Sequence, residues 1–143
     1  VYGILAGQGN HSLSTADVDG DGCQEIIYGA AVIDHDGSVL YSSYGYLPDG
    51  KTYRKFGHGD AMHVANIDPD RPGLEIFNVF EGAKEAPYGF ALRDAETGEV
   101  LFGEYAECDL GRCMIGDINP KVRGLQCWVN QIYSCTGEIL PDY

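Results

Sequence analysis

ADVDGDGCQEIIYG, residues 16–29, carries carboxylates at alternate positions (Asp17, Asp19, Asp21), two glycines, Glu25 and then a β-branched run. The stretch returns twice. ANIDPDRPGLEIFNVF (65–80) repeats the order of polar loop and apolar run, and GDINPKVRGLQCWVN (116–130) repeats it again. Asp19, Asp68 and Asn119 fall in register, 49 and 51 residues apart. Each copy continues into a turn and a further apolar segment: DHDGSVLY (34–41), DAETGEVLF (94–102) and SCTGEIL (134–140). Glycine supplies the positive φ of such turns, and the Val-Leu and Ile-Leu pairs return as strands. No stretch shows a 3.6-residue apolar period long enough for a helix. Short strands, Gly-rich turns and a period near fifty residues predict an all-β fold of β-propeller blades or another stacked β-repeat. Three copies predict about three blades, at roughly 7–45, 57–104 and 110–143, with 44–56 inserted after the first. A closed propeller has about four to eight blades. The chain therefore reads as an arc of a larger ring, with the remaining blades as its partner. An arc alone leaves sheet edges uncovered and predicts marginal stability or association.

The first loop looks like a calcium loop, and its spacing says which kind. An EF-hand places a bidentate Glu at loop position 12 and then enters a helix. Counted from Asp17, position 12 is Tyr28; Glu25 stands at position 9, and EIIYG behind it reads as a strand. This excludes a sensor EF-hand and leaves a fixed clasp on a strand end. Its expected ligands are Asp17, Asp19, Asp21, the Cys23 carbonyl and Glu25. Four carboxylates within nine residues repel one another unless a cation lies among them; the alternative is a solvated acidic turn. The second copy offers Asn66, Asp68, Asp70 and Glu75 as a second calcium site of lower charge. The third has Lys121 in place of an Asp and Gln126 in place of the Glu, so it is expected to be empty, with Lys121 standing in for the metal.

The 143 residues suffice for one domain with a real core or for part of a larger one. Apolar residues make up 44%, with 10 Tyr and 20 Gly, which is a folded, turn-rich composition. The net charge of −13 argues against nucleic acid and anionic membranes as partners, and no window is apolar enough to span a bilayer. Two divalent ions would bring −13 to about −9. Val1-Tyr2-Gly3 has no basic n-region, so no signal peptide is expected in this stretch; one already removed is compatible with it. Among five cysteines, Cys108 and Cys113 are spaced for a small loop disulfide, and Cys127 and Cys135 for a hairpin bridge. An odd count leaves one thiol free. This usage is read as secreted and extracellular; buried apolar thiols are the alternative.

Two histidine-bearing segments stand outside the repeat: GQGNHS (7–12) before the first loop and FGHGDAMH (56–63) before the second. Both place Gly-x-His where a blade's first strand begins. Such segments cluster at one mouth of a propeller, which would bring His11 and His58 together. Asp60 follows His58 by two residues, and Glu81 closes the run EIFNVFEG near the same mouth. His, His, Asp and Glu form a metal site by inventory, and two imidazoles on their own point to zinc or another transition metal. For any single histidine a hydrogen-bonded structural role is the alternative.

The runs GNHSLSTADVDGDG, GHGDAMHVANIDPDRPGLEIF and PYGFALRDAETGEVLFG resemble the rhamnogalacturonan lyases of polysaccharide lyase family 11, from about Gly7 to Leu140. The resemblance implies an eight-bladed propeller with structural Ca2+ ions. It implies an active-site calcium held by His11, His58, Asp60 and Glu81, and an active-site arginine at Arg112 in DLGRCMIGD. It further implies β-elimination on the rhamnose–galacturonate backbone of an acidic plant cell-wall polysaccharide, rhamnogalacturonan I, and hence pectin degradation. A family lysine on the catalytic face lies in blades beyond this stretch, and YGYLPDGKTYRKF (44–56) is an insertion against the shorter pattern. Arginine is a poor base unless its site strongly depresses its basicity, so a charge-stabilising role is expected for Arg112, a surface salt bridge being the alternative. Lys51, Arg54 and Lys55 are three of the nine basic residues and are candidate contacts for substrate carboxylates; a solvated loop tip is the alternative. Tyr44, Tyr46, Tyr53 and Tyr88 are candidate sugar-stacking residues. A different class of reading is a non-catalytic, calcium-stabilised propeller module that binds carbohydrate or protein. It would need the acidic loops but not the His-His-Asp-Glu set.

Overall fold

The computed structural model describes residues 2–141. Residues 142 and 143, the end of the third expected blade, lie outside the described residues. Beyond two 3₁₀ turns, Tyr2–Ile4 and Ala83–Glu85, the regular structure is all β. The first copy forms an antiparallel meander of β1 (Gly9–Ala16), β2 (Glu25–Gly29), β3 (Ala31–Ile33) and β4 (Val39–Ser42). The segment 44–56 forms a separate hairpin, β5 (Tyr44–Tyr46) and β6 (Tyr53–Lys55). The second copy repeats the meander with β7 (Gly59–Ala65), β8 (Glu75–Phe80), β9 (Phe90–Asp94) and β10 (Val100–Glu104). The third gives β11 (Met114–Gly116), β12 (Gln126–Trp128) and β13 (Ile132–Tyr133), extended by a bridge from Tyr133 to Ile139. The acidic loops therefore connect the first two strands of each copy.

The first two meanders join into one eight-stranded sheet, β4-β3-β2-β1-β7-β8-β9-β10. The join is a single parallel bridge, Asn10 to Gly59, at the start of β1 and β7. Gly59 is required there: a Cβ would lie 2.7 Å from the Val79 carbonyl and against the Asn10 side chain.

The core lies between successive meanders. Ile27, Val32, Met62 and Ile76 fill the space between the first and second, and Phe77, Val79, Phe90, Leu92, Cys127 and Tyr133 fill that between the second and third. All six residues of β8 are buried, because its two faces serve two cores. This explains why the strand carries apolar residues on both faces, Ile76, Phe77, Val79 and Phe80, with only Glu75 and Asn78 polar. Its counterpart β2 alternates, with Ile26 exposed, because only one side is covered.

Arg93 of β9 is fully buried and links the two meanders. Its guanidinium donates to the Gly29 carbonyl (2.7 Å), Asn78 Oδ1 (3.0 Å) and Ser43 Oγ (3.0 Å), with Phe56 and Phe80 beneath it. All five cysteines are free thiols. The disulfides considered from spacing are absent: Cys113 Sγ turns to the Ala61 carbonyl and Cys135 Sγ to the Arg123 carbonyl, each as a buried side chain.

Candidate functional site

The Asn10–Gly59 bridge sets the geometry of the cleft. His11 follows Asn10 on β1, and His58 precedes Gly59, so pairing those two residues brings the imidazoles together, with ring centroids 4.7 Å apart. Glu81 follows β8, and its backbone N–H donates to the His58 carbonyl (3.0 Å), which returns its carboxylate to the same point. One ligand atom each from His11, His58 and Glu81 lies within 4.8 Å of the others. Glu81 Oε1 is 2.6 Å from His58 Nδ1, yet the two are not aligned as donor and acceptor, and Nδ1 is left without a hydrogen bond. Donor atoms that crowd together without bonding one another suit a shared cation, so the residues present fit one.

Asp60, on β7, lies with Oδ1 3.4 Å from His11 Nε2. Its carboxyl is pushed up from the usual range by burial and by the neighbouring carboxylates of Asp109 and Glu81. A divalent cation would relieve that crowding. His11, Asp60, His63, Arg112, Cys113 and Met114 line one open cavity of about 360 Å³. Arg112 is exposed beside it. Its Nη1 donates to the Gly111 carbonyl (2.8 Å), and among the described residues no carboxylate lies within ion-pair distance of its guanidinium. The alternative of a surface salt bridge is thus not realised.

The three acidic loops share a fold but differ at the residue that closes them. In the first, Glu25 is fully buried; Oε2 accepts from Val18 N (2.7 Å) and Oε1 has no partner. Asp17, Asp19 and Glu25 converge within 4.8 Å. Asp21 caps the Cys23 N–H (2.7 Å), and Cys23 itself is exposed. In the second loop Glu75 is buried in the same way, Oε2 accepting from Ile67 N and Asp68 N while Oε1 is unpartnered. Asp68 is buried and Asn66 exposed. Asp70, however, is paired side-on with Arg123 of the third loop, Nε to Oδ2 at 2.7 Å and Nη2 to Oδ1 at 2.5 Å. In the third loop Gln126 Oε1 accepts from Ile118 N and Asn119 N, while its Nε2 donates to the carbonyls of Val122 (3.4 Å) and Gly124 (2.9 Å). The Gln126 amide thus supplies a positive dipole inside that loop, and the Lys121 N–H donates to Asn119 Oδ1 (3.1 Å).

The sequence profile of the C-terminal domain of rhamnogalacturonan lyase family 11 matches residues 2–142. The chain belongs to this family. It is 50% identical over 134 residues to the rhamnogalacturonan endolyase YesW of Bacillus subtilis (strain 168), covering 93% of this chain and 20% of that protein. It is 55% identical over 123 residues to the rhamnogalacturonan exolyase YesX of the same strain, covering 86% of this chain and 18% of that protein. The crystal structure of YesW superposes with a TM-score of 0.83 at 50% identity, over 95% of this chain and 21% of that one. The family 11 lyase structure from Bacillus licheniformis gives 0.85 at 51% identity, over 96% and 22%. The chain thus spans about a fifth of the length of these family 11 relatives.

The hairpin of this family 11 chain carries the remaining candidates. Lys55 turns inward, its Nζ donating to the Gly3 (2.7 Å) and Ala6 (2.8 Å) carbonyls, which ties down the N-terminal segment. Arg54 faces Glu85 at 4.0 Å, and Lys51 sits in the turn capped by Asp49. Tyr53 stacks between Tyr44 and Tyr46, with Tyr46 and Tyr53 exposed; Tyr88 packs on Phe56 instead.

Four residues were missed in the sequence. His63 Nε2 contacts the Cys113 carbonyl (3.0 Å) and so ties β7 to the segment carrying Arg112. Asp109 crowds Asp60. Asp34 and His35 stand beside the first loop. The signals were present, as the second His of GHGDAMH and as the DHDG turn, but neither follows a ligand spacing along the chain.

Proposed function

We propose that this chain is part of a secreted polysaccharide lyase that cleaves rhamnogalacturonan, the acidic pectic polymer of plant cell walls, by calcium-assisted β-elimination. The observation that supports it most directly is the convergence of His11, His58 and Glu81 beside the cavity of Arg112 and Asp60. The relatives YesW and YesX are named for action on rhamnogalacturonan.

His11, His58, Asp60 and Glu81 would hold the calcium. When bound, the divalent ion draws charge from a uronate carboxylate and so eases removal of the weakly acidic C5 proton. The C5 electrons form the C4–C5 double bond, and the O4 substituent leaves with its bonding pair and takes up a proton. Arg112 presents an unpaired guanidinium to the cavity, where it stabilises the charge that develops on the carboxylate. A guanidinium holds its proton too tightly to serve as the base, which comes from another part of the full-length protein. Lys51 and Arg54 of the hairpin would meet further uronates, and Tyr46 and Tyr53, both exposed, would stack on sugar rings.

The same reading makes the meanders blades of a larger propeller, most simply eight-bladed, and makes the first and second acidic loops structural calcium sites. A divalent ion also bridges a −13 protein to an anionic polymer. The test uses the full-length protein with rhamnogalacturonan, following ultraviolet absorbance of the unsaturated product with and without chelator. Product formation that is abolished by chelator and restored by calcium is expected. No product from the wild type removes the lyase reading, and activity surviving His58→Ala with Asp60→Ala removes this metal site.

A further inference from the structure

The three copies of the repeat allow an internal comparison that assigns a role to Asp34. Each meander ends in the same turn. Asp34 N donates to Ser38 O (2.8 Å) and Gly37 N to Asp34 O (2.9 Å); Asp94 and Ser134 make the matching pairs with Glu99 and Gly98, and with Glu138 and Gly137. Position 34 is therefore equivalent to 94 and 134. What faces these residues differs. Asp94 meets the Arg71 guanidinium of its own acidic loop at 3.3 Å, so the second copy carries a covalently attached cation at this point. Ser134 is neutral and belongs to the copy whose loop is closed by the neutral Gln126.

Asp34 has neither solution. It stands within 4.8 Å of Asp19 and Asp21, and within 4.8 Å of Glu25 and His35. Among the described residues no lysine or arginine lies within ion-pair distance of Asp17, Asp19, Asp21, Glu25 or Asp34; His35, 2.7 Å from Asp34 Oδ1, is the sole basic contact. Glu25, fully buried and with Oε1 unpartnered, belongs to this group. Several converging carboxylates, one of them buried with an orphaned oxygen, make a hard-cation site of oxygen ligands.

We propose that Asp34 is a direct ligand of the divalent cation in the first loop, so that the ion ties the β1–β2 loop to the β3–β4 turn. In the second copy Arg71 engages Asp94 instead, so that loop lacks this tie between an ion and the following turn. The inference rests on the reading that the first loop binds a cation. It adds a ligand from outside the loop, and it makes that cation a brace across the whole meander that carries His11.

Hydrogen exchange of the full-length protein, read on peptides covering 16–42 over a calcium titration, tests it. Wild type gains protection in both the loop and the 34–38 turn at one calcium midpoint. Asp34→Asn shifts that midpoint upward by at least about tenfold, one ligand's worth in affinity, and saturating calcium restores protection. Asp36→Asn, in the same turn, leaves the midpoint in place. A wild-type midpoint retained in Asp34→Asn overturns this inference alone, and so does protection that no calcium concentration restores, which marks a merely structural carboxylate. No calcium-dependent protection in wild type overturns both the inference and the loop reading beneath it.

Discussion

At the scale of single residues, one side-chain atom separates the third acidic loop from the other two. Glu25 and Glu75 each bury an oxygen without a partner, whereas Gln126 places an N–H₂ at the matching position and uses it on two carbonyls. Gln126→Glu in the calcium-free protein replaces two donors by an acceptor that faces carbonyl oxygens. The expected loss is roughly 1–3 kcal/mol, read from the denaturant midpoint; an unchanged midpoint contradicts the assignment. Asp70 gives a second prediction. Its hydrogen bond and ion pair with Arg123 hold the carboxyl below the ordinary range. A lowered carboxylate contributes stability that is present above its unfolded pKa and is lost as pH falls through the folded one. The pair is exposed, so that contribution is small. In Arg123→Gln the Asp70 carboxyl titrates at its ordinary value by NMR, and a value that stays low shows that something other than Arg123 sets it. At this scale the sequence was partly legible: Glu25 and Glu75 are found by spacing, but the Arg123–Asp70 pair links residues 53 apart, and no local pattern reports it.

At the scale of elements, the cleft depends on how β1 and β7 meet. A single bridge aligns them, and the glycine that permits it is adjacent to His58. Gly59→Ala forces a Cβ against the Val79 carbonyl and pushes the strands apart. A displacement of about 1 Å in catalytic groups costs on the order of 100-fold in rate. The expected outcome is that loss in kcat/KM together with weaker calcium binding, while the third meander keeps wild-type hydrogen exchange. Wild-type kinetics in this variant contradict the role given to the bridge. The strands themselves were readable from β-branched runs and turn glycines, as with EIIYG and DAETGE. Arg93 was not, although it lies in a quoted motif. An arginine in LRDA reads as surface from composition, and only the packing of β9 against the first meander shows it buried with carbonyl, amide and hydroxyl acceptors.

At the scale of the whole molecule, the contrast between β2 and β8 carries the argument for a larger ring. The same repeat position is buried on both faces when meanders flank it and on one face when they do not. Leu13 (63% exposed) on the first meander and Ile139 (51%) on the third are apolar side chains left uncovered. Residues 1–143 produced alone are expected to associate at micromolar concentration, and a compact monodisperse monomer in sedimentation velocity counts against the arc. The central claim is the placement of cations: one among His11, His58, Asp60 and Glu81, one in the first loop, none in the third. Anomalous diffraction from a lanthanide-soaked crystal of the full-length protein measures this directly. The account predicts a peak between His11, His58 and Glu81, a second between Asp19, Glu25 and Asp34, and no peak beside Gln126. No peak at the histidines, or one at Gln126 equal to that at Glu25, would contradict it.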